Sequence, residues 1–315
     1  MLSVHLENGR VEVRDVPIPS RPPGFALIRL LSAGICNTDL ELQRGYYGFA
    51  GAPGHEFAGE VVAADTPSLL GRRVAGEINL ACGGCEWCAR NMGRHCPRRT
   101  VLGIVKHPGA FQEFFTLPER NLHLLPDSIS NEQAVFIEPL AAACEILDQV
   151  QIPCASKVAV LGDGKLGLLI AQALNAHGYP VDQFGRHPEK LDIARRAGVH
   201  AEIATTLPAA AYNWVVDATG SPEGLQAAVR MVRPRGTVIL KSTQHGLVSL
   251  DTAPVIVNEI ALVGSRCGRF EPAIELLSRG LINVHDMISA RDKLADAPLA
   301  FERAARKGMM KVLLS

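Results

Sequence analysis

The chain has 315 residues, which is enough for one large domain or two ordinary ones. Its 32 lysines and arginines balance 32 aspartates and glutamates, so there is no electrostatic footprint for nucleic acid or for an anionic membrane. No apolar run is long enough to span a bilayer, and the first residues alternate like a strand and lack a signal-peptide pattern. We therefore expect a soluble cytoplasmic protein, in which clustered cysteines are metal ligands rather than disulfides.

Short strands and turns are predicted for residues 1 to about 123. Strand-like segments lie at 4–16, 25–31, 57–64 and 72–78. Gly, Pro and Asp punctuate these segments, as they do between the strands of an antiparallel sheet. The pattern predicts a barrel-like β domain.

From about residue 131 the pattern changes to alternating helices and strands. Apolar residues at helical spacing predict a helix over 131–150. The strands that follow are predicted at 157–162, 180–185, 214–220, 236–242 and 260–265. The helices between them are predicted at 166–178, 188–198 and 222–232. This alternation predicts a parallel, doubly wound sheet, and the tail at 299–315 predicts a helix and a last strand.

Four of the eight cysteines fall in one short window with the spacing C-x2-C-x2-C-x7-C: Cys82, Cys85, Cys88 and Cys96. Four thiolates on a turning loop can surround one tetrahedral zinc ion, and they leave no coordination position for water or substrate. A closed site of this kind is structural. The alternative is a redox role for the C-x-x-C pairs, but two further cysteines at this spacing fit a metal better.

A second group of metal-ligand types is scattered along the chain. Cys36 lies in GICNTD, His55 and Glu56 lie in GHEFAG, and Glu138 lies in IEPLA. A catalytic zinc keeps an open position, so fewer and more scattered ligands are expected for it. Each residue alone has a plainer interpretation, since a lone Cys is usually a small buried hydrophobe and a His or Glu after Gly is usually a turn residue.

The stretch KVAVLGDGKLGLLIAQAL carries a nucleotide-binding fingerprint between a predicted strand and a predicted helix. Gly162, Gly164 and Gly167 form G-x-G-x-x-G, and Lys165 and Leu166 lie between the last two. The first Gly allows a tight turn, the second lets a pyrophosphate approach, and the third lets helix and strand pack closely. Because the helix N-terminus stabilises phosphates, the stretch predicts a dinucleotide cofactor.

The end of the next strand bears on the choice between NAD and NADP. The acidic residue that binds a ribose 2′-hydroxyl is expected there, but the tip has Gly185, Arg186 and His187, and Asp182 falls too early. Arg186 can pair with a 2′-phosphate through two hydrogen bonds. The sequence therefore predicts a preference for NADP(H) over NAD(H). In the alternative, Arg186 is a solvated residue that stacks on adenine whether or not the phosphate is present.

The motifs occur in a recognisable order: GICNTD, GHE, the four cysteines, EPLA, the fingerprint and VVDATGSPE. Over essentially its whole length the chain resembles the zinc-dependent alcohol dehydrogenases of the medium-chain dehydrogenase/reductase superfamily, in particular the polyol and glucose dehydrogenases. The resemblance implies an α/β protein with a GroES-like β-barrel catalytic domain and a Rossmann nucleotide-binding domain. We expect the catalytic domain at 1–123 with a return segment at 284–315, and the Rossmann domain at 124–283.

The resemblance also implies roles in a catalytic metal site. The residues that match the family's zinc ligands are Cys36 and His55, while Glu56 and Glu138 would supply or support the remaining coordination, partly through water. Thr38 matches the hydroxyl that takes the alcohol proton toward solvent, although a hydroxyl here could also cap a helix.

Three further residues match family positions. Asp39 corresponds to an acid that orients a ligand, and Thr219 and Gly220 correspond to a strand-end turn beside the cofactor. Glu41 stands where many relatives carry a His of the proton relay, which is closer to the glucose dehydrogenases.

The implied activity is hydride transfer between NADP(H) and a secondary alcohol, polyol or sugar, with one catalytic and one structural zinc per chain. We expect a homodimer or homotetramer with a small-molecule substrate and with no nucleic-acid or membrane partner. Two alternatives remain open at this point. One is a reductase that shares the fold but lacks a working catalytic zinc, and the other is a non-catalytic zinc-binding interaction protein.

Overall fold

The computed structural model describes residues 1–243 and 247–315. It divides into two compact units, of which the first comprises Met1–Glu138 and Met287–Ser315 and the second comprises Pro139–Asp286. These units divide at 138/139 and 286/287, whereas the predicted domain limits are 123/124 and 283/284, which stay a prediction.

The elements up to residue 149 are β1 (Leu2–Glu7), β2 (Arg10–Asp15), β3 (Phe25–Ile35), α1 (Asn37–Gln43), β4 (Phe57–Ala63), β5 (Arg73–Gly76), β6 (Asn79–Leu80), α2 (Glu86–Ala89), β7 (Thr100–Leu102), β8 (Lys106–His107), β9 (Phe114–Pro118), β10 (Leu122–Leu124), α3 (Asn131–Ala134) and α4 (Ile137–Gln149). Those that follow are β11 (Val158–Leu161), α5 (Lys165–Ala176), β12 (Val181–Gly185), α6 (Pro188–Arg196), β13 (His200–Ile203), β14 (Tyr212–Asp217), α7 (Pro222–Met231), β15 (Val232–Leu240), α8 (Ala253–Val257), β16 (Ala261–Gly264), α9 (Phe270–Ser278), β17 (Ile288–Asp292), α10 (Ala297–Ala304) and β18 (Lys311–Leu314). Short 3-10 turns lie at Tyr46–Gly48, Pro67–Leu69, Gly93–His95, Glu119–Asn121, His285–Met287 and Leu294–Asp296.

The first unit is built on a largely antiparallel sheet with the strand order β10-β5-β4-β3-β18-β17, and β9 also pairs with β3. The long strand β3 alternates buried and accessible residues at first and is buried throughout its last four residues, directly before Cys36. The last strand, β18, returns from the C-terminus and pairs antiparallel with the end of β3. This pairing brings the C-terminal segment beside residues 33–35.

The sequence prediction of one helix over 131–150 needs a correction. The structure has two helices, because α3 ends at Ala134 and α4 begins at Ile137. Pro139 has no backbone N–H, so the carbonyl four residues earlier cannot receive a helical hydrogen bond from it. At the break, the backbone N–H of Phe136 donates to the carbonyl of Gln133, three residues earlier, at 3.0 Å. The new helix start places Glu138 in the first turn of α4.

The second unit is a parallel sheet with the order β13-β12-β11-β14-β15-β16. The order reverses between β11 and β14, and β11 and β12 are buried along their whole length. In doubly wound folds, ligands bind at such a switch point, beyond the carboxyl ends of the strands. The predicted Rossmann architecture is confirmed. The sequence did not predict β13, a short edge strand whose residues are mostly exposed.

Among the described residues, no helix combines the length and the apolar character needed to cross a membrane.

Candidate active site and metal centres

The four clustered cysteines converge as the spacing predicts. The Sγ atoms of Cys82, Cys85, Cys88 and Cys96 all lie within 4.8 Å of one another. The separations are 3.4 Å for Cys85–Cys88, 3.6 Å for Cys85–Cys96 and 3.9 Å for Cys82–Cys88. Four sulfurs bound to one zinc at about 2.3 Å stand roughly 3.8 Å apart at the corners of a tetrahedron. The donor set and its size therefore fit one zinc ion.

The backbone around this lobe favours the thiolate form that a zinc ligand requires. The backbone N–H of Gly84, together with hydrogen bonds from the other three cysteines, lowers the pKa of Cys82 to about 6. Cys85 lies directly before α2 and Cys96 is buried, whereas Cys82 is exposed. A loop and one helical turn thus aim all four sulfurs at a common point near the surface.

A second set of donors meets where β3 ends and β4 begins. The ligand atoms of Cys36, His55 and Glu56 lie within 4.8 Å of one another. Cys36 follows β3, and the other two precede β4. The antiparallel register, with Ala33 opposite Phe57, brings these distant parts of the sequence side by side. Three of the four residues predicted for the catalytic zinc are therefore together.

Gly54 lets the chain turn tightly before His55. Its φ is +100°, a left-handed conformation that glycine adopts without strain. The ring of Phe111 packs so close to this backbone that a Cβ at position 54 would overlap it. The glycine of GHE is thus required both by the turn and by the packing behind His55.

Asp39 supports the same cluster from α1. Its Oδ2 accepts a hydrogen bond from the backbone N–H of Cys36 at 2.8 Å, and its Oδ1 accepts one from the backbone N–H of Gly54 at 3.2 Å. Nδ1 of the buried His55 lies 3.4 Å from Oδ1 of Asp39 and makes no hydrogen bond with the described residues. The carboxylate therefore fixes both segments that carry the donors.

The surroundings of His55 favour a positive charge on its imidazole ring. Burial lowers the pKa of His55, but the Asp39 carboxylate and the Cys36 thiol outweigh it, so the pKa stands well above its ordinary value. A thiolate, an imidazole and a carboxylate form a donor set that zinc accepts, with room for a further ligand. The buried Nδ1 without a hydrogen bond faces the carboxylate, as in a zinc-bound His that is oriented by an acid.

Glu56 has a buried partner that the sequence analysis did not single out. Its Oε2 forms an ion pair with Nζ of Lys311, and both side chains are only 1% exposed. Burial lowers the pKa of Lys311, but the charge of Glu56 outweighs this effect and raises it. Lys311 reaches the site because β18 pairs with β3, with Val312 opposite Ile35. The sequence feature that could have pointed to Lys311 is that it is the single charged residue in an otherwise apolar terminal strand.

Glu138, Thr38 and Glu41 lie outside the group of three converging donors. Glu138, in the first turn of α4, is half-buried but is not part of the 4.8 Å group. Oγ1 of Thr38 lies 3.8 Å from Sγ of Cys36. Glu41 forms an ion pair with Arg44, with 2.5 Å between Oε1 and Nη1.

The fingerprint stands at the switch point of the second unit. The turn between β11 and α5 borders a cavity of about 540 Å³ beyond the ends of β11, β12 and β14. Of the predicted cofactor residues, Gly162, Gly164, Arg186 and Thr219 line this cavity. The others do not line it: Lys165 and Leu166 begin α5, Gly167 is buried in its first turn, and Gly220 follows Thr219. Asp163, Glu223 and Arg230 also line the cavity and were not predicted from the sequence.

Comparison with known proteins decides which family this is. The chain matches the family models of the alcohol dehydrogenase GroES-like domain over residues 22–127 and of the zinc-binding dehydrogenase over residues 166–279. The D-altritol 5-dehydrogenase of Agrobacterium fabrum is 31% identical over 277 residues, which cover 82% of each chain. The chain belongs to the zinc-dependent alcohol dehydrogenases of the medium-chain superfamily. Its place in the polyol-dehydrogenase branch, predicted from the motifs, is confirmed.

Two solved structures are similar to this dehydrogenase over nearly its whole length. A zinc-binding dehydrogenase of Sinorhizobium meliloti, solved with NADP, is 28% identical with a TM-score of 0.90, and the match covers 99% of this chain and 98% of the other. An alcohol dehydrogenase of Escherichia coli, solved with NADH, is 26% identical with a TM-score of 0.90, and the match covers 100% and 99%. The two-domain fold and the assignment as an alcohol or polyol dehydrogenase are confirmed, and a non-catalytic zinc module is not favoured.

Proposed function

We propose that this dehydrogenase transfers hydride between a secondary alcohol, polyol or sugar and NADP(H), with a catalytic zinc at Cys36, His55 and Glu56. The observation that carries the proposal is the convergence of these three donors, with the Nδ1 atom of His55 facing Asp39. A relative that is named a polyol dehydrogenase supports the substrate class. A second zinc would be held by the four cysteines as a structural ion.

A zinc ion at the first site would supply Lewis acidity that lowers the pKa of the substrate hydroxyl, while the nicotinamide would accept the hydride. The chain's own residues orient the zinc donors and compensate the charge of Glu56. Asp39 holds the backbone of Cys36 and faces His55, which keeps both donors in place. Lys311 pairs with the Glu56 carboxylate, so this buried negative charge is not left uncompensated. Glu138 would support coordination from α4.

Thr38 is the proposed first group in the path of the alcohol proton. Its hydroxyl lies beside the Cys36 sulfur, at 3.8 Å, and can both accept and donate a hydrogen bond. The proton would therefore leave through Oγ1 toward solvent. Glu41, which is paired with Arg44, does not replace the basic His that relatives carry, so we propose a shorter relay in this chain.

The proposed preference for NADP rests on Arg186. Its side chain is exposed, lines the cavity and has no hydrogen-bond or ion-pair partner among residues 1–243 and 247–315. The strand tip beside it is Gly185, which has no carboxylate to repel a 2′-phosphate. A guanidinium can bind such a phosphate through two hydrogen bonds.

We also propose that the enzyme is a homo-oligomer of the family's usual kind, a dimer or a tetramer in the cytoplasm. The strand β16 lies at the edge of its sheet. Its Leu262 is an exposed apolar residue, as are Ile256 and Val257 of the preceding α8. An exposed edge with apolar side chains is a natural site for pairing with a second copy.

The test is nicotinamide reduction by the zinc-loaded protein, with NADP and NAD in parallel, across aldoses, polyols and simple secondary alcohols. The proposal predicts turnover of a polyol or sugar with NADP ahead of NAD. The test variant is Arg186→Ala, which should lower kcat/KM for NADP by about tenfold or more. Its kcat/KM for NAD should change little and serves as the control. A preference for NAD in the unaltered protein would contradict the cofactor assignment, and turnover without zinc would contradict the catalytic metal.

A further inference from the structure

The fingerprint of this dehydrogenase carries a carboxylate between its first two glycines. Asp163 is only 8% exposed, and its Oδ2 accepts three hydrogen bonds from the turn after β12. The donors are the backbone N–H of Arg186 at 2.6 Å, the backbone N–H of His187 at 2.7 Å and the Nδ1 atom of the His187 ring at 3.0 Å. One carboxylate oxygen thus binds the whole turn that follows the strand tip.

The same carboxylate excludes a side chain from the strand tip itself. A Cβ added to Gly185 would stand 2.5 Å from Cβ of Asp163 and 2.6 Å from its Oδ2, distances that real side chains do not tolerate. The strand tip is where NAD-binding Rossmann folds place the acidic residue that binds the ribose 2′-hydroxyl. An acid at 163 and an acid at 185 are therefore mutually exclusive in this backbone.

The charges around the cavity indicate which groups remain free to bind a phosphate. Burial raises the pKa of Asp163, but the hydrogen bonds from His187 and Arg186 outweigh it and lower the pKa, so the group is ionised at neutral pH. Its Oδ2 is occupied by three N–H donors, although the residue also borders the cavity. The backbone N–H groups of the turn are occupied, whereas the guanidinium of Arg186 is exposed at the cavity wall. Arg230 adds a second positive group and Glu223 a negative one.

We propose that Asp163 is a specificity-determining residue for the cofactor: it takes the place of a strand-tip carboxylate, fixes the turn and leaves Arg186 to bind the 2′-phosphate of NADP. The proposal rests on the proposed function, because it explains a preference for NADP. It assigns the preference to a pair of positions, Asp163 with Gly185, and not to the arginine alone. Asp163 contacts no reacting atom in this account and acts through the turn that it holds.

The test moves the carboxylate from one position to the other. In Asp163→Gly/Gly185→Asp the acid stands at the strand tip and the space beneath it is open. The dissociation constants of NADPH and NADH, measured by fluorescence titration, report binding without any need for a substrate. We expect this double variant to prefer NADH, with the NADPH-to-NADH affinity ratio reduced at least tenfold. Gly185→Asp alone should bind both cofactors weakly, because the new side chain collides with Asp163.

Two single variants act as controls. Asp163→Asn keeps the size and one acceptor oxygen, so it should keep the preference for NADPH. Asp163→Ala removes the anchor, so NADPH binding should weaken about tenfold while NADH binding changes less than threefold. Zinc content and circular dichroism establish that each variant is folded. If the double variant does not fold, the NADPH-to-NADH affinity ratio of Asp163→Ala tests the role of Asp163 on its own.

The outcomes separate this inference from the proposed function. If the unaltered protein binds NADH more tightly than NADPH, the proposed cofactor preference is wrong. If the unaltered protein prefers NADPH but the double variant and Asp163→Ala keep the same ratio, the preference stands and the role of Asp163 is overturned. If Gly185→Asp alone binds the cofactors tightly, the backbone can hold an acid at both 163 and 185, and the claim that they exclude each other is wrong.

Discussion

The four-cysteine lobe and the Cys36 cluster both collect zinc donors, but they do so in different ways. The lobe takes four like donors from one window, residues 82–96, and aims them together near the surface. The cluster takes three unlike donors from two segments, which are joined by the pairing of β3 with β4 and by the Asp39 carboxylate. A complete set of four thiolates is closed, whereas three donors leave a position for substrate. In our proposal, the completeness of the donor set distinguishes a site for a structural metal from a site for a catalytic one.

The two regions also differ in what surrounds their donors. Cys82 is exposed, and a backbone N–H favours its thiolate. His55 and Glu56 are buried, and the charged side chains of Asp39 and Lys311 face them. A buried charged cluster requires such partners, because an unpaired charge in the interior is strongly destabilising. We expect changes in the cluster to affect activity, or stability where they leave a buried charge unpaired, and changes in the lobe to affect stability while leaving the chemistry largely intact.

The largest effect is expected for Cys36→Ser. Loss of this ligand should reduce kcat by a factor of about a thousand or more, because the Lewis acidity of the site supplies several kcal/mol to the reaction. The melting temperature and NADPH binding should stay close to those of the unaltered protein. The control is Cys154→Ser, which changes an exposed cysteine outside both groups. Retained turnover in Cys36→Ser would rule out Cys36 as a catalytic ligand.

The ion pair behind the cluster should be the next most sensitive point. In zinc-free protein, Lys311→Met leaves the Glu56 carboxylate buried without its partner, which typically costs about 3–5 kcal/mol of unfolding free energy. Urea denaturation measures this loss. The double variant Lys311→Met/Glu56→Gln removes both charges and should recover much of the stability. If the double variant is no more stable than the single one, packing and not charge explains the effect.

Cys88→Ser should act on the lobe and leave the chemistry largely intact. We expect zinc content to fall by about one ion per chain and the melting temperature to fall by several degrees, since structural zinc contributes folding energy and a domain of ordinary size loses about 2–4 °C per kcal/mol. Comparison with Cys154→Ser isolates the effect of the metal. An unchanged melting temperature would contradict a structural role for the four cysteines.

The smallest effect is a difference in thiol reactivity in zinc-free protein. Cys82 has a pKa lowered to about 6, whereas burial raises the pKa of Cys144 to about 12. Iodoacetamide at pH 7 should therefore label Cys82 and leave Cys144 unlabelled, as mass spectrometry can establish. Zinc should protect Cys82. Equal labelling of the two thiols would show that the lobe does not favour its thiolates.

The same lowered pKa predicts a pH dependence for the zinc-free lobe. Between the ordinary thiol pKa, about 8.5, and about 6, the folded lobe holds fewer protons at Cys82 than the unfolded chain does. Stability should thus rise with pH through this window and should be lost as the pH falls through about 6. Thermal melts across the window measure the effect. A melting temperature that is independent of pH in this range would argue against it.

The parts of the molecule that local sequence determines were predictable. The spacing of the four cysteines predicts their convergence, and the alternation after residue 131 predicts the parallel sheet. The break before Ile137 was missed because helical periodicity continues across it, although Pro139 carried the signal. Lys311 and Asp163 were missed because their partners are distant in sequence. Only the pairing of β18 with β3 brings Lys311 to Glu56, and only the packing of β11 beside β12 brings Asp163 to the turn after Gly185.

The zinc content of the purified, folded protein tests the central claim most directly. It should be measured by elemental analysis for the unaltered chain and for Cys36→Ser at equal protein concentration. Two zinc ions per chain, falling to one in Cys36→Ser with the melting temperature unchanged, is the result that this account predicts. One zinc ion per chain in the unaltered protein, or two in Cys36→Ser, would contradict the division into a structural and a catalytic site.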